Sequence, residues 1–244
     1  MKECEDHSIQ VVKDPTDNNT IKKKMIFNLP MRLLLIGKTG SGKTSCLVSM
    51  LLKKGFYGDD FEGENVYIFS PMQNDFKMET LIKRKKIPPV NVYTDFDDDL
   101  LNGLYDKLAE EGKLELALDT KIKPKLIVLD DLSFTGKLAK GRYNAVSRVF
   151  CNGRKNGISI IVTSQFYKHI LPVCRSNASA VIAYNCSNSD LDSIEEDHNY
   201  LKNKKEFKNL FRENVKEKHD FMAVNYSNSR DEGLYLNTKF KKIG

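Results

Sequence analysis

The chain has 244 residues, 40% hydrophobic and 30% charged, with 39 Lys and Arg against 33 Asp and Glu for a formal charge of +6. This length and apolar share support one sizeable core, and the mild positive balance tolerates a polyanionic partner without requiring one. The apolar runs are strand-sized and far below the ~20 residues of a bilayer span, and no signal-peptide core stands at the N-terminus. Five cysteines without a CxxC pair exclude a disulfide scaffold or zinc ribbon, so free thiols in a reducing compartment are expected.

In chain order, residues 1–24 are polar and lack periodicity, which predicts a flexible N-terminal arm before a single domain over 25–244. Residues 31–36 (MRLLLI) read as a buried parallel strand ending at Gly37. Residues 44–54 read as a helix with Cys46, Leu47, Met50 and Leu51 on one face, closed by Gly55. A strand follows at 65–70, stopped by Pro71, then a basic run at 83–86 broken by Pro88 and Pro89, and a short strand at 91–94. Residues 100–115 read as a helix broken at Gly112, 125–130 (KLIVLD) as a strand ending in acid, and 140–154 as a helix. Strands at 158–164 and 178–184, a basic helical segment over 190–218 and a final strand at 220–226 complete the pattern. Alternating strands and helices predict an α/β fold with a mostly parallel sheet, its strand ends gathered on one edge where ligands bind.

Three motifs fall at such strand ends. Gly37, Lys38, Thr39, Gly40, Ser41, Gly42, Lys43 and Thr44, followed by Ser45, fit the phosphate-loop pattern G-x-x-x-x-G-K-[ST] between a strand and a helix. Glycines let backbone N–H groups wrap a phosphate, and the helix start adds a positive dipole end. Lys43 is expected on the β- and γ-phosphates and Thr44 on Mg²⁺. The second motif is Asp130 and Asp131 at the end of an apolar run. Beside a phosphate loop, Asp130 is expected to hold the metal and Asp131 to orient or deprotonate the attacking water; a turn with solvated acids is the bland alternative. The third is Thr163-Ser164-Gln165, which sets an amide where it can sense the γ-phosphate, if it is more than an ordinary strand exit. Arg154 before that strand and Arg175 after it are candidates for a phosphoryl-stabilising arginine supplied by a neighbouring subunit.

Other nucleotide-binding classes fit less well. A GTPase needs Asp-x-x-Gly where this chain has Asp131-Leu132-Ser133 after Asp130, and Asn203-Lys204-Lys205-Glu206 is a near miss for a guanine reader that reads as surface. A nucleotide kinase needs an arginine lid, for which Arg142, Arg148 and Arg154 are available. A strand between the phosphate-loop helix and the acidic strand suits the branch of phosphate-loop proteins that inserts a strand between the motif strands in space.

With GKTGSGKT, LIVLDDL and IIVTSQ in this order, residues 27–184 resemble the FtsK–HerA superfamily of phosphate-loop DNA pumps, and within it the poxvirus-type virion DNA-packaging ATPases of large DNA viruses and virophages. The resemblance implies a RecA-like core whose Walker A residues are Lys43 and Thr44 and whose Walker B acids are Asp130 for the metal and Asp131 for catalysis. It implies Gln165 as sensor, and Arg154, with Arg175 second, as the arginine acting across a subunit interface. The expected activity is Mg²⁺-dependent ATP hydrolysis by a hexameric or pentameric ring that drives double-stranded DNA into a capsid. Capsid or portal protein is the implied partner, and the host cytoplasm and virion the implied setting. Many cellular members carry Asp-Glu where this chain has Asp-Asp, and their additional membrane or DNA-reading domains have no counterpart here. Basic clusters at 83–86 and 202–218 offer sequence-independent phosphate contacts or plain solvated faces. A nucleotide kinase and a non-motor nucleotide switch are the alternative functions.

Overall fold

The computed structural model describes residues 20–23, 26–71, 75–131 and 144–244. Most of the expected arm lies outside these residues. Its end, 20–23, packs on the domain: Ile21 pairs antiparallel with Leu29, and Lys23 Nζ donates to Asp60 at 2.7 Å.

The strands β1 (Arg32–Ile36), β2 (Val66–Phe69), β3 (Val92–Tyr93), β4 (Lys125–Leu129), β5 (Ile158–Ser164), β6 (Ala180–Tyr184), β7 (Phe221–Asn225) and β8 (Tyr235–Leu236) form one 8-stranded sheet in the order β3-β2-β4-β5-β1-β6-β7-β8. From β3 through β6 all neighbours are parallel; β7 and β8 close the other end antiparallel. The mostly parallel α/β sheet is therefore as the alternating pattern predicts. Register places Ile36 beside both Ser164 and Ala183, so the ends of β5 and β6 flank the end of β1.

Both faces of β1 are covered, which is why its sequence is continuously apolar rather than alternating. Leu33 and Leu35 face a core shared with Leu47 and Met50 of α1 (Lys43–Leu52) and Met78 and Leu81 of α2 (Phe76–Lys85). Leu34 and Ile36 face the opposite core, filled from α3 (Asp98–Ala117), α4 (Ala145–Asn152), α6 (Asn188–His198) and α7 (Lys204–Asn214). Two short helices, α5 (Pro172–Ser176) and α8 (Arg230–Gly233), complete the described elements.

Several elements depart from the sequence reading. The stretch ending in the basic run is a helix, α2, whose Asp75 cap accepts the Lys77 and Met78 N–H groups at 2.8 and 3.3 Å. Helix α3 is not broken at Gly112; this residue is a buried contact, where an added Cβ would stand 3.2 Å from the Asn156 carbonyl oxygen. The expected helix over 140–154 begins at Ala145 within the described residues; 140–143 lie outside them. The segment 190–218 is two helices. Asn199 ends α6 and its side chain accepts the Leu201 N–H, while Asn203 caps α7 and accepts the Glu206 N–H at 2.9 Å. The Asn203-to-Glu206 near miss is thus a helix cap. The segment is also not uniformly basic, since Lys208 and Lys204 pair with Asp192 and Glu195 of α6. The strand inserted between the phosphate-loop strand and the acidic strand is β5, not β2, which lies outside β4. Finally, β7 is followed by β8, a strand too short to carry a period in sequence.

Candidate nucleotide site at the carboxyl edge of the sheet

The loop between β1 and α1 begins where Gly37 N–H donates to the Ser164 carbonyl at 3.1 Å. An added Cβ on Gly37 would fall 2.6 Å from Tyr184 Cβ, so only glycine passes between the strands. Gly40 and Gly42 hold φ of 77° and 111°, the left-handed region that curls the backbone back on itself. Helix α1 starts at Lys43 with no acidic residue in its first turn, leaving its N–H groups and dipole end for an anion. Ser41 Oγ is buried and has no hydrogen-bond partner among the described residues. The left-handed glycine turns and the open helix start beside them fit a phosphate group.

A cavity of ≈ 230 Å³ opens over this loop, lined by Thr39, Gly40, Gly42, Lys43, Thr44 and Ser45 and, from neighbouring elements, by Asp75, Lys77, Asp130, Asp131, Thr163 and His219. Gly37, Lys38 and Ser41 stand in the loop but not on this wall. Lys43 is only 7% exposed, and its Nζ donates to the carbonyls of Gly37 at 2.6 Å and Lys38 at 3.3 Å. Burial lowers its pKa from the ordinary lysine value, and the carboxylates of Asp131 and Asp130 oppose that shift.

Asp130 is 2% exposed. Thr163 Oγ1 donates to its Oδ1 at 2.8 Å and Ser70 Oγ to its Oδ2 at 3.3 Å. Burial raises the Asp130 pKa, the Thr163 bond lowers it, and the adjacent Asp131 raises it. Asp131 has a left-handed φ of 48°, a conformation that Asp and Asn tolerate better than most residues. Its backbone N–H donates to Thr163 Oγ1 at 2.9 Å, and its Oδ2 accepts from Gln165 Nε2 at 2.9 Å. Thr163 thus orients both acids, accepting from one and donating to the other, while Gln165 holds the carboxylate of the second. Thr44 and Asp130 line the same cavity, and a hydroxyl with a carboxylate is a sparse oxygen set that suits Mg²⁺, which keeps several waters and takes few protein ligands. Among the described residues no cluster of three or more His, Cys, Asp or Glu side chains offers a protein-only metal cage.

The sequence reading gave no role to Ser70, Lys77 or His219, and named Thr163 only as part of the polar strand end. Lys77 Nζ donates to Ser45 Oγ at 2.7 Å from helix α2. His219 arrives on the turn before β7, and its Nδ1–H donates to the Ser41 carbonyl at 2.9 Å. Thr163 was visible as a polar residue ending a buried strand; nothing local in the sequence marks His219.

The two candidate arginines lie elsewhere. Arg154 is exposed at the opposite, amino-terminal edge of the sheet, in a cavity with Arg32, Ser179 and Tyr226. Arg175 is engaged within its own chain, 3.2 Å from Asp197 and with its guanidinium 4.9 Å from the Tyr167 ring centroid. Of the arginines considered for a kinase lid, Arg148 forks onto Asp106 at 2.6 and 3.2 Å, and Arg142 lies outside the described residues. Cys46, Cys151, Cys174 and Cys186 are free, and no described helix is long and apolar enough to cross a membrane.

A model of the poxvirus A32 protein family matches residues 18–236. The DNA packaging protein OPG160 of monkeypox virus is 23% identical over 196 residues, covering 77% of this chain and 58% of that protein, so the chain spans little more than half the length of this curated relative. Among solved structures, the genome packaging NTPase B204 of Sulfolobus turreted icosahedral virus 2, in complex with AMP, superimposes with a TM-score of 0.56 at 15% identity, over 87% of this chain and 97% of that one. ATPases 2 and 3 of EssC from Geobacillus thermodenitrificans give a TM-score of 0.52 at 16% identity, over 68% of this chain and 34% of that one. At such identities these structures speak for the fold alone, that of a phosphate-loop NTPase. With the match running through the phosphate loop, the acidic pair and β5 into β8, the chain belongs to the poxvirus A32 protein family.

Proposed function

We propose that this chain is an ATPase motor that moves double-stranded viral DNA into a capsid, working as a ring in the infected host cytoplasm. The observation that carries the chemistry is the Gln165–Asp131 hydrogen bond at 2.9 Å, made to a carboxylate that lines the same cavity as Lys43. It turns a carboxylate toward the phosphate cavity and ties it to the end of β5. Family membership, a packaging protein among the relatives and a packaging NTPase among the structural neighbours support the motor reading.

In this reading the loop amides and Lys43 bind the β- and γ-phosphates, and Lys43 exchanges its carbonyl partners for phosphate oxygens. Thr44 and Asp130 would hold Mg²⁺, which when bound would neutralise developing charge on the phosphates. Asp131 accepts a proton from, or aligns, the attacking water. Gln165, bonded to that carboxylate, transmits the change in its charge environment into the chain after β5. Arg154, at the far edge of the sheet from its own cavity, would serve the cavity of an adjacent subunit. Of the arginines a kinase lid would draw on, Arg148 is held by Asp106 within its own chain.

Steady-state ATPase activity with and without long double-stranded DNA tests this. Expected are magnesium dependence, DNA stimulation, and loss of turnover in both Lys43→Ala and Asp131→Asn. The asparagine keeps a residue that tolerates the left-handed φ, so its effect reports chemistry rather than backbone strain. Turnover indifferent to DNA would remove the motor and leave a nucleotide hydrolase or switch.

A further inference from the structure

The cavity at the amino edge of the sheet, of ≈ 290 Å³, shares no residue with the phosphate cavity. Two arginines line it, Arg32 at the start of β1 and Arg154 on the turn before β5. Thr20, Asn28, Ser179 and Ser227 add neutral polar groups, and none of the described residues that line it is acidic.

Arg32 is built into this wall. Its backbone N–H donates to Ser179 Oγ at 2.8 Å, and its carbonyl accepts the Ser179 N–H at 2.9 Å. Its Nε–H donates to the Asn177 carbonyl, which fixes the plane of the guanidinium; the Nη fork has no hydrogen-bond partner among the described residues. Arg154 shares the cavity from an exposed position. Burial first, and then the charge of Arg154, lower the Arg32 pKa. Two like charges held side by side, one of them half-buried, repel each other, and an oxyanion between them relieves that repulsion.

We propose that this cavity is a second oxyanion site, for a phosphate group of a nucleotide or nucleic acid, with Arg32 as its fixed member and Arg154 as its exposed one. Planar guanidinium forks match phosphate oxygens two at a time, and a pair of them suits the double charge of a terminal phosphate. The site needs only this chain; which phosphate fills it rests on the motor reading. In a ring it would be the terminal phosphate on the next copy, so that Arg32 acts beside Arg154 across the interface. A phosphodiester of the DNA backbone offers the same oxygens.

Calorimetric titration of the full chain with pyrophosphate tests the site, in a Lys43→Ala background that disables the phosphate loop. Pyrophosphate binding is expected to persist there and to weaken about tenfold or more when Arg32→Gln is added, the scale of a lost charge-assisted bond. Glutamine keeps an N–H for the Asn177 carbonyl and removes the charge and the fork. Arg154→Gln should weaken binding as much, and Arg148→Gln, outside the cavity, should leave it unchanged. No binding in Lys43→Ala, or binding unchanged by Arg32→Gln, overturns the proposal. Melting curves report folding, and if Arg32→Gln does not fold, Arg154→Gln decides. Two further readouts separate the sources, and either keeps the oxyanion site. If the next copy supplies the phosphate, Arg32→Gln loses turnover and regains it on mixing with Lys43→Ala, because one chain keeps the phosphate loop and the other the arginine pair. If DNA supplies it, mixing restores nothing, and the slope of log affinity for DNA against log salt becomes shallower by about 0.9 per lost contact. A chain without DNA-stimulated turnover would sink the motor reading and leave the pyrophosphate result standing.

Discussion

Thr163 carries more of the site than its position in the sequence suggests. Its hydroxyl donates to Asp130 and accepts the Asp131 N–H, so one side chain orients both the acid proposed to hold the metal and the left-handed backbone of the acid proposed to act on water. Thr163→Val conserves the branched shape and removes both bonds. Turnover is expected to fall by about 10- to 100-fold, the usual effect of losing a partner that orients a ligand. Because that bond also lowers the Asp130 pKa, the acid limb of the pH–rate profile should move upward. A profile and rate equal to the parent chain would show that Ser70 alone suffices. His198 makes a different residue-scale prediction. It is buried between Tyr167 and Tyr226, with Asp197 and Arg175 as its charged neighbours. Tyr167 O–H donates to Asp197 at 2.8 Å, so His198 donates from Nε2 to Tyr167 at 2.6 Å and accepts from Tyr226 on Nδ1. Burial, the largest cause, pushes its pKa down to about 4. Between that value and the ordinary ~6.5 the unfolded chain binds a proton that the folded chain refuses. Stability is therefore lost as pH falls through this window, by up to about 3 kcal/mol. Urea melts at several pH values should show a shallower loss in His198→Gln, which keeps a donor for Tyr167; parallel curves would place the titration elsewhere.

At the scale of elements, α3 shows how packing overrides propensity. Glycine inside a helix costs about 1 kcal/mol relative to alanine, which is why Gly112 reads as a break. The helix continues because α3 lies against the turn before β5, where Gly112 meets the Asn156 backbone. Gly112→Leu has nowhere to place its side chain and should destabilise the fold by about 1–3 kcal/mol, seen as a lower urea midpoint with unchanged m-value. An unchanged midpoint would mean that the turn yields freely. Helix α2 is the converse case. Asp75 as cap and the spacing of Met78, Leu81 and Ile82 were present in the sequence, with the basic run 83–85 forming the last turn of the helix. The turn before β7 had no such signal. It reaches the phosphate loop only because β7 pairs antiparallel with β6, which returns its first residue, Phe221, to Tyr184 at the carboxyl edge.

For the whole molecule, the two edges of the sheet divide the labour. The carboxyl edge gathers the phosphate loop, the acids and Gln165; the amino edge carries Arg154 with Arg32, whose pKa is lowered by burial and by its cationic neighbour. In the proposed ring, Arg154 of one copy would complete the cavity of the next. Arg154→Ala is expected to lower turnover by about three powers of ten, the range of a missing arginine finger. Mixed with inactive Lys43→Ala, it should regain activity, because one variant keeps the cavity and the other keeps the arginine. No recovery on mixing, or full activity of a strictly monomeric preparation, would sink the shared site. Arg175→Ala should instead reduce stability, since its guanidinium bonds Asp197 and stacks on Tyr167 in the same chain. By itself, the sequence determined the alternation of strands and helices, the phosphate loop, the acidic pair and the glutamine, because these depend on local period, glycine conformation and residues at strand ends. The insertion of β5 between the motif strands, the bridging by Thr163, the arrival of His219 and the separation of Arg154 from Arg175 were decided by tertiary structure alone. Each depends on which strands pair and in which direction, and that is set by burial over the whole sheet rather than by any short stretch of residues.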